Sequence, residues 1–222
     1  MTSAVPSSST VYGCVLNDQK MLDRMEAQLS SPPYNAPPKA PVLYIKTRNT
    51  IVGAGAKVQV PIEPGVVRID ATVGIVIGRT AKDVILGDAS TYIGGYVIVS
   101  DITLPHDSYY RPAVSKRCRD GFCPMSDVIH DIRGFDIEKA VINTSVNGEA
   151  VHTRSLQTLV RSAARLISDV SQFMTLSEGD VLLVGPPDNA PICRAGDAVR
   201  IEVAGLGILE HGLVVEMAKE AA

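Results

Sequence analysis

Hydrophobic positions along this chain fall mostly in short runs rich in Val and Ile, and helical spacing is confined to a few stretches. Val66–Gly78 is the strongest run, with no helical face, and predicts a long strand. Val11–Leu16, Val42–Ile45 and Tyr96–Ser100 predict further strands, the last delivering Asp101 at its end. Ala140–Val146 and Glu149–His152 flank Asn147-Gly148, a pair that tolerates the positive φ of a two-residue hairpin turn. Val181–Val184, Val199–Val203 and Leu213–Glu216 continue the β pattern toward the C-terminus.

Helical spacing appears in Asp18–Leu29, with Met21, Leu22, Met25 and Leu29 on one face. It appears again in Ser155–Phe173, with a stripe of Leu156, Leu159, Ala163, Leu166, Ile167, Val170 and Phe173 and with Ser155 as N-cap. A short helix is expected over Asp88–Ile93, ended by Gly94-Gly95. Ser30–Pro41 holds five prolines in twelve residues and reads as an extended loop. Residues 102–135, with three prolines and four arginines, read as a long structured loop of functional character. The fold class is mainly β with a few helices, arranged as a single domain over 11–217 between a disordered tail at 1–10 and a short tail at 218–222.

Composition narrows the function classes. The formal charge of −3, from 21 basic and 24 acidic residues, offers no broad footprint for nucleic acid. The longest apolar runs are too short to span a bilayer, and residues 1–10 lack the features of a signal peptide. Cys14, Cys118, Cys123 and Cys193 are scattered without metal-ligand spacing and read as thiols of a reducing cytoplasm.

Three clusters carry candidate chemistry. Asp70 and Thr72 lie two apart in a predicted strand and so share a face. An acid there is either paired or metal-bound, or it sits at an exposed strand start. Asp101 follows an apolar run, as a functional carboxylate or a turn residue. Tyr109-Tyr110-Arg111-Pro112 through Lys116-Arg117-Cys118-Arg119-Asp120-Gly121 combines cations and aromatics, as an anion clamp or a solvated basic loop.

In their order along the chain these clusters resemble the fumarylacetoacetate hydrolase family, from about Val11 to Glu216. The supporting segments are Tyr44–Thr50, Asp70-Ala71-Thr72 before Ile75–Gly78, Gly95-Tyr96 leading to Ser100-Asp101, Arg119–Pro124, Gly179-Asp180 and Gly196-Asp197. Tyr110–Pro112 and Cys118–Pro124 resemble the branch of isomerase/decarboxylases of 4-hydroxyphenylacetate (homoprotocatechuate) breakdown, in its first half or subunit. The resemblance implies a mixed β-roll or barrel and the decarboxylation of 5-oxopent-3-ene-1,2,5-tricarboxylate with isomerisation of the product. It implies Mg²⁺ or Mn²⁺ on Asp70 and Asp101, and a small 2-oxo polycarboxylate held by Lys46, Tyr110, Arg111 and Arg119. Asp101, Arg117 and Asp120 are then the catalytic group, in a homodimer or a hetero-oligomer with a related subunit.

Four departures qualify this expectation. The family's Glu-x-Glu reads Asp70-Ala71-Thr72, which removes one anionic ligand. Its Asn-x-x-x-His reads Asn17 to Met21, its lysine before the Arg-Asp pair reads Arg117, and its Thr-Gly-Thr-Pro reads Val184-Gly185-Pro186-Pro187. Two expectations therefore stand side by side: a working subunit of the enzyme, or a metal-free, non-catalytic subunit paired with an active relative.

Overall fold

The computed structural model describes residues 2–6 and 9–217. The first elements are β1 (Thr2–Ser3), β2 (Val11–Val15), α1 (Gln19–Leu29), β3 (Val42–Lys46), β4 (Ile51–Val52) and β5 (Lys57–Val60). Then come β6 (Val66–Ile77), β7 (Ile93–Thr103), α2 (Val114–Arg117), β8 (Cys123–Pro124), β9 (Val128–Ile129), β10 (Val141–Val146) and β11 (Glu149–Ser155). The chain closes with α3 (Ala163–Ser171), β12 (Val181–Leu183), β13 (Ile192–Arg194), β14 (Ala198–Val203) and β15 (Gly207–Val215).

The long antiparallel pair β6–β7 is the spine. Their near-continuous Val and Ile content suits strands buried on both faces, and almost every residue of the pair is buried. They sit inside a sheet ordered β1-β9-β7-β6-β12-β2-β3, with β13 on the free start of β6. A second sheet, β11-β10-β14-β15-β5, packs against the spine through Ile142, Ile201, Val203 and Leu209. The β10–β11 turn is the predicted Asn147-Gly148, with φ of 52° and 85°.

Several expectations change. The helix expected over Ser155–Phe173 begins only at Ala163, capped by Ser162, whose side chain accepts from the Arg165 amide. Ser155 instead ends β11, and residues 159–161 are drawn onto the segment before α1. Leu159 bridges to Asp18, the Val160 amide donates to the Asn17 carbonyl, and the Arg161 amide donates to the Asn17 side chain. These tertiary bonds outcompete one turn of helix, and Phe173 is left 64% exposed.

Gly94 and Gly95 belong to β7 and do not end a helix; the preceding turn is 3-10 over Leu86–Tyr92. The glycine is required by close backbone approach, since a Cβ on Gly94 would lie 2.5 Å from the Gly78 Cα. The span 102–135 is shorter as a loop than expected, because β7 runs to Thr103 and α2, β8 and β9 lie within it. The 1–10 tail is corrected at Thr2–Ser3, which pair with Val128–Ile129. The 218–222 tail falls outside the described residues.

Candidate functional site

Strand register brings the two singled-out carboxylates together. Asp70 of β6 lies directly opposite Asp101 of β7, and both are fully buried. The alternatives of an exposed strand start for Asp70 and a turn position for Asp101 are thereby removed. Two carboxylates side by side in an apolar sheet repel each other and lose hydration, so neither stays ionised without counter-charge.

The chain supplies that charge itself. Arg68, two residues before Asp70 on the same face, grips it in bidentate fashion, Nε to Oδ1 at 2.8 Å and Nη2 to Oδ2 at 3.1 Å. Lys46, at the end of β3, places Nζ 2.8 Å from Asp101 Oδ1. The same ammonium donates to the carbonyls of Ile102 at 2.9 Å and Arg117 at 2.8 Å. Arg117, at the end of α2, donates from Nη1 to Asp101 Oδ2 at 2.9 Å and holds Nη2 3.7 Å from Asp70 Oδ2. Its guanidinium also lies 4.3 Å from the centre of the Tyr44 ring, and the Tyr44 hydroxyl donates to Asp101 Oδ2.

The protonation states follow. Burial works to raise the Asp101 carboxyl, but Lys46 and Arg117 more than offset it and hold the group below the usual range. Burial, reinforced by Asp101, pushes the Tyr44 phenol well above its ordinary value, so it remains a donor.

Thr72, on the same face as Asp70, turns its hydroxyl away from the carboxylates and donates to the Gly185 carbonyl at 2.8 Å. That carbonyl also receives Arg154 Nη1 at 2.7 Å, while Arg154 Nε reaches Asp18 Oδ2 at 3.2 Å. Gly185 takes φ of 110°, and a Cβ there would meet the Cys14 carbonyl oxygen at 2.1 Å. The sequence reading missed Arg154: nothing in a β-strand sequence marks an arginine that folds inward to a partner 136 residues away.

Of the residues expected at the site, Lys46, Asp70, Asp101 and Arg117 meet in this cluster. Tyr110 and Arg111 stand at the exposed rim of a 150 Å³ cavity that Arg117 also lines. Arg119 and Asp120 do not join them. Arg119 reaches Glu216 at 3.4 Å, and exposed Asp120 accepts from Asn49 at 2.6 Å.

The family now follows from the chain as a whole. Residues 10–214 match the family described as fumarylacetoacetate (FAA) hydrolase C-terminal. The chain belongs to this family. It is 40% identical over 207 residues to the 4-hydroxyphenylacetate degradation bifunctional isomerase/decarboxylase of Salmonella dublin, covering 93% of this chain and 47% of that protein. Identity to the protein of the same description from Escherichia coli is 37% over 207 residues, with the same coverage. The chain thus spans about half the length of these curated relatives. Among solved structures it superposes on 5-carboxymethyl-2-hydroxymuconate delta-isomerase from Mycobacterium smegmatis with a TM-score of 0.82 and 27% identity, covering 98% of this chain and 83% of that one.

The divalent ion implied by the resemblance does not fit the residues present. A hard cation needs several free anionic oxygens. Here Asp70 and Asp101 are spent on Arg68, Lys46 and Arg117, and Thr72 points elsewhere. Among the described residues no three His, Cys, Asp or Glu side chains form a metal-ligand group. No described helix is long and apolar enough to cross a membrane.

Proposed function

We propose that this chain is the metal-free half of a cytoplasmic isomerase/decarboxylase of the 4-hydroxyphenylacetate type, paired with a related half or subunit that carries the Mg²⁺ or Mn²⁺ site. The observation that carries this reading is the Asp70–Asp101 pair, whose charge is met by Arg68, Lys46 and Arg117. Its support is the coverage of about half of each curated relative, which leaves room for a second, similar unit. Decarboxylation of 5-oxopent-3-ene-1,2,5-tricarboxylate and isomerisation of the product then take place in the partner unit. This chain contributes fold and interface, and Lys46 and Arg117 act as structural counter-ions rather than as substrate clamps. A homodimer of this chain alone is catalytically silent on this reading.

The test is calorimetric titration of Mg²⁺ and Mn²⁺ into the metal-stripped chain, beside a decarboxylation assay of the chain alone and mixed with an intact relative. No metal heat up to millimolar concentration, with turnover only in the mixture, is the expected result. Micromolar metal binding that disappears in Asp101→Ala, together with turnover by the chain alone, would overturn the proposal.

A further inference from the structure

The turn pair Asn147-Gly148 has a chemistry of its own. Of the asparagines in the chain only Asn147 is followed by glycine, and both residues are exposed at the tip of the β10–β11 hairpin. In such a pair the glycine amide nitrogen can attack the asparagine carboxamide carbon, because no side chain on the glycine obstructs it. A C–N bond forms, the carboxamide nitrogen leaves as ammonia, and a cyclic succinimide remains. Water then opens the ring at either carbonyl to give an aspartyl or an isoaspartyl linkage, with no oxidant or reductant. The Gly148 amide donates to no acceptor among the described residues, so the nucleophile is free. At Asp120-Gly121 the corresponding amide is engaged, donating to the Asn49 carbonyl at 3.0 Å.

The closed turn holds the carboxamide away from that nitrogen. Asn147 stands at φ of 52°, in the left-handed region. There the following nitrogen lies anti to the residue's own Cβ, whereas ring closure needs the two syn. The side chain is clamped as well. Its Nδ2 donates to Asp197 Oδ1 at 2.9 Å, and its Oδ1 accepts from the Ala198 amide at 2.9 Å. The Asn147 amide donates to the Ala198 carbonyl at 2.9 Å, and Asp197 Oδ2 is itself fixed by the Arg194 amide at 2.8 Å. Reaction therefore waits on opening of the tip, and the bonds to Asp197 and Ala198 set how often it opens.

We propose that Asn147 is a deamidation site gated by Asp197, and that the modified tip cannot close again. A carboxylate at position 147 has no hydrogen to give Asp197 Oδ1, and two anions repel where the amide bond stood. The isoaspartyl form also adds a methylene to the main chain, which a two-residue turn cannot absorb without losing its register. Each event thus frays β10–β11 from its tip, in one direction only. The frayed strand β11 is the one whose far end carries Arg154 inward to Asp18 and Gly185.

The experiment is incubation of the full chain at neutral pH, with mass spectrometry of the tryptic peptide spanning 140–154 and fragmentation to separate Asn147 from Asn143. In the native wild-type chain Asn147 should deamidate at least about tenfold more slowly than in guanidinium chloride, where the turn is gone. Native Asp197→Ala should deamidate at least about fivefold faster than native wild type, through the lost hydrogen bond. If that variant fails to fold, Asp197→Asn, which keeps the shape but removes the charge from the acceptor, should show a smaller rise. Asn147→Asp reproduces the aspartyl product, and hydrogen exchange at Val146 and Glu149, which pair beside the turn, should be faster in it than in wild type. A native rate equal to the unfolded one, or no acceleration in the folded Asp197 variant, would overturn the gating. Unchanged exchange in Asn147→Asp would overturn the one-way fraying.

Discussion

Asp101→Asn separates an internally neutralised carboxylate from a metal ligand, because the two predict opposite signs in EDTA. In a site built to hold a divalent ion, clustered carboxylates repel when the ion is stripped away, and neutralising one of them relieves that repulsion. Asp101 instead faces Lys46 at 2.8 Å and Arg117 at 2.9 Å and accepts from Tyr44, all out of water. The amide keeps the shape but leaves three cations with Asp70 alone, and turns one amide NH₂ toward a donor. Removing one partner of a buried ion pair costs about 3–5 kcal/mol. In a chain of this size each kcal/mol moves the midpoint by about 2–4 °C, so the expected drop is roughly 6–20 °C. Urea and thermal unfolding, each in EDTA and in millimolar Mg²⁺, supply the assay. The drop should be the same in both media. An unchanged or raised midpoint in EDTA would refute the assignment of Lys46 and Arg117 as the resident counter-ions.

Further outcomes follow from other contacts. Below pH 4 the wild-type chain should lose stability as Asp101 is protonated: its folded pKa lies below the unfolded value, so its contribution is present above that value and lost as pH falls through the folded one; acid titration of Asp101→Asn should be flatter there. His211, buried against Ser100 Oγ at 2.9 Å, has its pKa pushed down to about 4, chiefly by burial. The unfolded chain therefore binds the proton more tightly, and up to roughly 3 kcal/mol should be lost between about pH 6.5 and 4; unfolding of His211→Gln across that range should lack this slope. Ser162→Ala should cost about 1 kcal/mol in urea unfolding, through the lost cap of α3, and Ser155→Ala less, since its side chain caps only a 3-10 turn. Gly185→Ala should cost more than about 4 kcal/mol or prevent soluble expression, because φ of 110° and a 2.1 Å approach to the Cys14 carbonyl both exclude a Cβ.

Local sequence determined what depends on neighbours along the chain. The Val and Ile content of Val66–Ile77 imposes a buried strand wherever it packs, and Asn147-Gly148 imposes its turn through φ alone. The ordered segments from Tyr44 to Asp197 were enough to place the chain in its family, since each survives as a short motif. Spacing also showed Asp70 and Thr72 on one face, and the loss of a carboxylate at Thr72 was visible as a departure from the family's Glu-x-Glu.

What the tertiary structure decided lies in partners distant along the chain. Ser155–Phe173 has a good helical stripe, yet Asn17 and Asp18 capture Leu159, Val160 and Arg161 with hydrogen bonds that no local periodicity registers. The β6–β7 register sets Asp70 against Asp101, and that register depends on the whole sheet. Lys46 and Arg117 come to Asp101 from the ends of β3 and α2, 55 and 16 residues away along the chain, while Arg154 turns inward to Asp18 and Gly185. A lysine or arginine in sequence carries the same charge whether it grips a substrate or neutralises a buried acid. Only desolvation and distance distinguish the two, and both are properties of the packed chain.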